Sequence, residues 1–134
     1  MHKISDSTSV LLSGQSADIV TPYTPTRYVA AARFRLFSIF VGIDAVAATK
    51  TVTIQPKQAT DASGTGSKNL GTAIVVTAPG GGWTNKELAV DFDINALDDA
   101  NGFDFIGFTI SSNNTSATPA RAVLVGADSR FRPS

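Results

Sequence analysis

The sequence predicts an all-β protein, an antiparallel β-sandwich or barrel, and three observations carry that expectation. Short segments rich in Val, Ile, Phe and Thr recur from Arg27 onward, punctuated by Gly, Asn, Asp and Pro, as strands joined by turns are. No stretch repeats its apolar residues with a convincing helical period. The run ELAVDFDI alternates strictly, with Leu88, Val90, Phe92 and Ile94 on one side and Glu87, Ala89, Asp91 and Asp93 on the other. A strand with one wet face gives that pattern.

Taken in order, residues 1–26 read as an extended N-terminal arm and residues 27–134 as the sandwich domain. Ser and Thr dominate the arm, and Pro22 and Pro25 hold its backbone extended while removing two amide donors. Its apolar residues, Val10, Leu11, Leu12, Ile19 and Val20, need a surface to lie on, and a neighbouring subunit would supply one.

The first strand is expected over 27–43. Its alanine-rich start tempts toward helix, but Phe, Ile and Val crowd 34–41 and favour strand. Arg33 and Arg35 share a parity with Phe37, Ile39 and Val41, whereas Phe34, Leu36 and Phe40 have the opposite one. Both faces therefore carry large apolar side chains. Two alternatives follow: a bulge switches faces midway, or both faces are covered, one of them by another subunit. Gly42 marks an end or a bend. Further strands are expected over 51–57, 72–77, 87–94, 103–111 and 121–128.

The 134 residues fit one domain. Charged residues make up 16%, well below the usual quarter or so, and eleven basic side chains balance eleven acidic ones. Such a surface exerts little long-range pull on nucleic acid or anionic lipid, so neither is expected as a partner. It also offers little electrostatic resistance to self-association. With no cysteine, thiolate metal sites, disulfides and Cys nucleophiles are excluded. The apolar run Val10 to Leu12 is too short for a signal-peptide core, and no segment has the length of a membrane span. Synthesis in a cytosol is expected.

Candidate chemistry thins out on inspection. QATDASGTGSKNLG, residues 58–71, has the glycines and lysine of a phosphate cradle, but Gly64, Gly66, Ser67 and Lys68 lack the Walker spacing and no helix follows. It reads as a strand end and a loop. APGGGW, residues 78–83, reads as a turn anchored by Trp83. Asp91, Asp93, Asp98, Asp99 and Asp104 fall within fourteen residues, yet Ala96 and Gly102 occupy the positions where a calcium loop needs Gly and Glu. Solvated carboxylates are the better reading. The one histidine, His2, and the one glutamate, Glu87, have no catalytic partner in the pattern. No enzyme activity, metal or cofactor is expected. Arg121, Arg130 and Arg132 gather near the C-terminal end beside Phe131 and suit a protein partner better than a stacked base.

The runs KTVTIQPKQATDASGTGSKNLG, ELAVDFDINALDDANGFDFIGFTISS and RAVLVGADSRFRP together resemble small β-sandwich virion proteins of tailed bacteriophages, over roughly residues 50–133. Several such proteins decorate or cement the head. The resemblance implies a jelly-roll-like sandwich on the capsid exterior, bound to the major capsid protein and to itself as a homo-oligomer, a trimer first of all. Expected contacts are Val10, Leu11, Leu12, Ile19, Val20, Pro22 and Pro25 of the arm. Phe37, Ile39, Val41 and Trp83 would add apolar surface, and Arg130 with Arg132 polar surface. The alternatives are another virion part (neck, tail or head fibre), or a carbohydrate-binding sandwich using Trp83, Tyr23 and Tyr28.

Overall fold

The computed structural model describes residues 8–13, 17–20, 22–24, 28–31, 34–93 and 97–129, with side chains described for 18–20, 22–24, 28–31, 36–92 and 97–126. Ten strands follow in order: β1 (Thr8–Ser13), β2 (Ala17–Asp18), β3 (Val29–Ala30), β4 (Phe34–Val46), β5 (Thr51–Ala59), β6 (Lys68–Asn69), β7 (Ile74–Thr77), β8 (Trp83–Asp93), β9 (Phe105–Ser112) and β10 (Pro119–Ser129). They form two antiparallel sheets, a jelly-roll-like β-sandwich. The first has the order β1-β10-β4-β8, with β2 following β1 along the same edge of β10. The second has the order β3-β9-β5-β6, with β7 beside β6 on the edge of β5.

The core lies between the sheets and follows from strand parity. From the first sheet Phe37, Ile39, Val41, Ile43, Val90 and Leu124 point inward; from the second, Val52, Ile54, Ile106, Phe108 and Ile110 meet them. The alternation of β8 holds where side chains are described: Val90 is buried and Leu88 and Phe92 half-buried, while Glu87, Ala89 and Asp91 are exposed.

In β4 the structure removes one of the two alternatives, the bulge. Its register with β8 and with β10 runs on from Leu36 through Ile43 without a shift, so no bulge switches faces. Residues 37, 39, 41 and 43 are buried, and Leu36 and Phe40 stand 45% and 48% exposed on the opposite face. That outer face is apolar because of its own residues, and this hid the alternation in the sequence.

The N-terminal segment departs from the expected arm. It is extended, but β1 pairs with the outer edge of β10 from Thr8 opposite Ala127 to Ser13 opposite Val123, with one slip between Val10 and Leu12. Asp18 fastens the next stretch: its carboxylate accepts the Thr118 amide at 2.9 Å and the Val20 amide at 3.1 Å. Ile19 is sealed in the core, and Tyr23 exchanges backbone hydrogen bonds with Ile110. The described parts of this segment belong to the sandwich, because edge pairing and core burial inside the chain satisfy the same groups that a neighbour would have.

Two polar details complete the second sheet. Pro56 sits inside β5, where a missing donor would break a ladder. Its position falls between the partners β6 and β7, and its carbonyl still accepts the Leu70 amide at 2.9 Å. Gln58 is buried, and both ends of its amide are used: Nε2 donates to the Asn69 carbonyl and Oε1 accepts the Asp98 amide, each at 2.8 Å. Those two bonds hold β6 and the 97–104 loop onto β5.

Candidate functional site

The loop that resembled a phosphate cradle is already occupied by its own carboxylate. Asp61 accepts the amides of Ser63 at 2.9 Å and Thr65 at 3.1 Å, and the Thr65 hydroxyl at 2.6 Å. Lys68 turns away, donating to Asp98 at 2.6 Å and lying 4.1 Å from the centre of the Phe103 ring. No amides are left converging on an outside anion.

The aspartates are similarly committed to local partners. Asp91 accepts the Ser38 hydroxyl on the outer face of the first sheet, and Asp98 accepts Lys68 and Asn101. Among the described residues no three acidic or imidazole side chains converge as a metal site would require. Hydrogen bonds from the Thr118 and Val20 amides hold Asp18 below the usual carboxylate range, those from Thr65 do so for Asp61, and Lys68 with Asn101 does so for Asp98. Asp104 is raised instead, because it shares a hydrogen bond and like charge with Asp99.

The pH dependence follows with opposite signs. The three lowered carboxylates contribute stability that is complete above about pH 4, the ordinary carboxylate value, and is lost as pH falls through their lower folded values. Asp104 binds its proton more tightly when folded, so its contribution fades as pH rises from about 4 through its raised value. The melting temperature is expected to fall steeply below pH 4. Asp99→Asn, by removing the like charge, is expected to raise the melting temperature at pH 7 and to change it less at pH 3. Melts recorded across both pH values check this.

The expected contact residues scatter. Phe37, Ile39 and Val41 are at most 2% exposed and Ile19 is 1% exposed, so these four belong to the chain's own core and offer nothing to a partner. Strand parity is the reason: the apolar set available outside is Leu36 and Phe40. Val20 and Pro22 are exposed. Trp83 opens β8, half-buried against the core, with the Lys86 ammonium 5.4 Å from its ring centre. The side chains of Val10, Leu11 and Leu12, and Pro25, Arg130 and Arg132 altogether, lie outside the described residues.

Nor do the aromatic residues gather into a sugar platform. Tyr28 is buried, its ring lying where side chains at Gly64 and Gly107 would stand. Tyr23 lies against β9 of the second sheet, whereas Trp83 belongs to the first.

What the structure does assemble is two exposed apolar surfaces on different sheets. On the outer face of the first, Phe40 stands between Val123 and Ala89, and Ser38 between Val125 and Asp91. Gly42 separates Arg121 from Glu87 in the next row, and an open depression of about 310 Å³ lies among Phe40, Gly42, Glu87, Arg121 and Val123. On the second sheet, Val75 of β7 is 58% exposed and Ile74 is 40% exposed. Ile74 borders a second depression of about 310 Å³, between the sheets, with Pro56, Leu70, Val90 and Phe92. Leu36 and Phe40 were visible in the sequence as the apolar residues of the wrong parity; Val75 carried no such signal.

No family model matches the chain, and no curated protein matches it by sequence. Solved structures do. A structure described as "CBM4 structure and function" is 10% identical, with 90% of this chain and 70% of that one covered and a TM-score of 0.50. A chain of the cowpea mosaic virus top component, the naturally occurring empty particle, is 13% identical over 78% of this chain at a TM-score of 0.47, and this chain spans 62% of its length. A Desmodium yellow mottle tymovirus chain is 12% identical, covering 95% of this chain and 89% of its own, at 0.42. Viral particles and carbohydrate-binding modules thus both stand among the neighbours, and what is shared is the fold.

Proposed function

We propose that the chain is a structural virion protein of a tailed phage, a decoration or cement protein on the capsid exterior that bridges capsomers. Its partners are the major capsid protein and further copies of itself. The observation that carries the reading is apolar exposure on both outer faces, Leu36 with Phe40 on one sheet and Val75 on the other. A bridging protein needs at least two adhesive surfaces facing different ways. The tailed-phage part of the reading rests on the resemblance proposed for residues 50–133 and is itself part of this proposal. Many modest contacts repeated over a lattice add by multivalency and resist the pressure of packaged DNA. A reactive centre plays no part in such work.

Val75 is the residue to test. It is exposed, so Val75→Asp should change folding stability by no more than about 0.5 kcal/mol. Placing a charge in the apolar contact is expected to strip the protein from capsids, read as occupancy in a cryo-electron map of reconstituted particles. Full occupancy by the variant would remove the second sheet from the contact. Copy number separates the virion alternatives: hundreds of copies per particle fit a cement, and about a dozen fit a neck component.

A further inference from the structure

We infer that the outer face of the first sheet is the docking surface for a second copy of this chain, related by a two-fold axis running along β4. The inference goes beyond the virion reading and does not need it.

The argument starts from charge placement. Gly42 of β4 is opposite Arg121 on β10 and opposite Glu87 on β8, so an arginine and the chain's one glutamate flank β4 at mirrored positions in a single row. Both side chains are exposed, and among the described residues neither has an ion-pair partner. Gly42 between them has open space where a side chain would stand.

A two-fold axis lying between two facing copies and along β4 exchanges left for right across the sheet while keeping each row level. It therefore sets Arg121 of one copy over Glu87 of the other, twice. In the neighbouring row it sets Phe40 over Phe40 and Val123 over Ala89, apolar on apolar. In the row beyond, Ser38 meets Ser38 and Asp91 falls opposite Val125, but the Asp91 carboxylate is already held by its own Ser38 hydroxyl. In the Arg121–Glu87 row the charges are mirror-placed with opposite sign and so self-complementary, as an isologous contact requires. Exposed Asp44, farther along β4 on the axis, is set near its own copy and keeps the pairing weak.

The geometry permits the contact. Facing sheets pack about 10 Å apart, a gap that an arginine and a glutamate reaching toward each other can span. Tilting the axis about 15° from β4 gives the crossing of about 30° that twisted sheets adopt. An axis along β4 overlaps only β10, β4 and β8 of the two copies, about 26 Å by about 14 Å, because β1 has no strand at the mirrored place beyond β8. Pairing therefore buries about 750 Å² in total, the size of a weak contact, and association at about 100 µM is expected.

Sedimentation velocity on the full chain at about 10 µM to 1 mM tests this, spanning the expected dissociation constant. A monomer–dimer equilibrium is expected. Phe40→Asp should abolish it. Arg121→Glu and Glu87→Arg should each weaken it about tenfold or more by setting like charges together at both symmetric positions. The double exchange should restore it to within about threefold. All three positions are exposed on the outer face, and unchanged circular dichroism confirms that folding is intact. A monomer at every concentration, a three-fold cluster, pairing indifferent to Phe40→Asp, or a double exchange that fails to rescue would each overturn the inference. A chain that stays monomeric yet fills capsid sites sinks the pairing alone and leaves the virion reading standing.

Discussion

Phe37→Ala is expected to cost about 3–5 kcal/mol, enough to lower the melting temperature by roughly 10–20 °C in a domain of this size. Phe37 is fully buried near the start of β4, and its ring stacks on Phe92 at 5.7 Å between centroids with 24° between planes. Truncation removes the transfer energy of a whole aromatic side chain, leaves a cavity between two sheets that cannot close far, and forfeits the ring pair. Three residues along the same strand, Phe40 faces out, and Phe40→Ala should cost the isolated chain no more than about 1 kcal/mol. Thermal melts of both variants at low protein concentration check the contrast. Equal costs would mean that the parity of β4 has been assigned wrongly, and with it the whole outer face.

Gly82→Ala is expected to cost about 3 kcal/mol or more, by two separable routes. Gly82 has φ of +73°, and an alanine there pays roughly 1–2 kcal/mol for the left-handed backbone. Its Cβ would also stand 2.6 Å from the Val46 carbonyl oxygen and 3.3 Å from the Ala48 amide nitrogen. Those neighbours are backbone, so relief requires moving either the β4–β5 turn or the start of β8. Gly71 supplies the control, with the same φ of +73° and open space where its Cβ would go. Gly71→Ala should therefore show the backbone penalty alone. Urea denaturation of the two variants gives the steric part by difference. Equal losses would mean that the turn yields freely.

The strands beyond residue 50 could be read locally because each carries its own evidence in composition or alternation. The loop after Ala59 was legible too, and the Asp61 that fills it is an ordinary turn former. What stayed hidden depends on distant partners. TSVLLS of β1 is short and flanked by polar residues, and the edge that accepts it belongs to β10, more than a hundred residues away. Nothing within the segment distinguishes that edge from a neighbour's. In β4 the sequence offered apolar residues at both parities, and only the packing of the second sheet decides which set is enclosed. The expected contacts Phe37, Ile39 and Val41 fell on the enclosed side. Tyr28 was open to reading as a sugar-binding ring for a similar reason: the glycines it covers, Gly64 and Gly107, lie on two other segments.

The place of β10 between β1 and β4 sets a timetable. A ribosome releases β1 well before β10, so while the strands between them are made β1 lacks the edge it pairs with, and β4 lacks one of its two neighbours. The sheet cannot close until β10 has been made. Nascent chains wait with a bare hydrophobic ribbon exposed, and crowded polysomes in a heavily translating cell are where this protein is most exposed to mispairing.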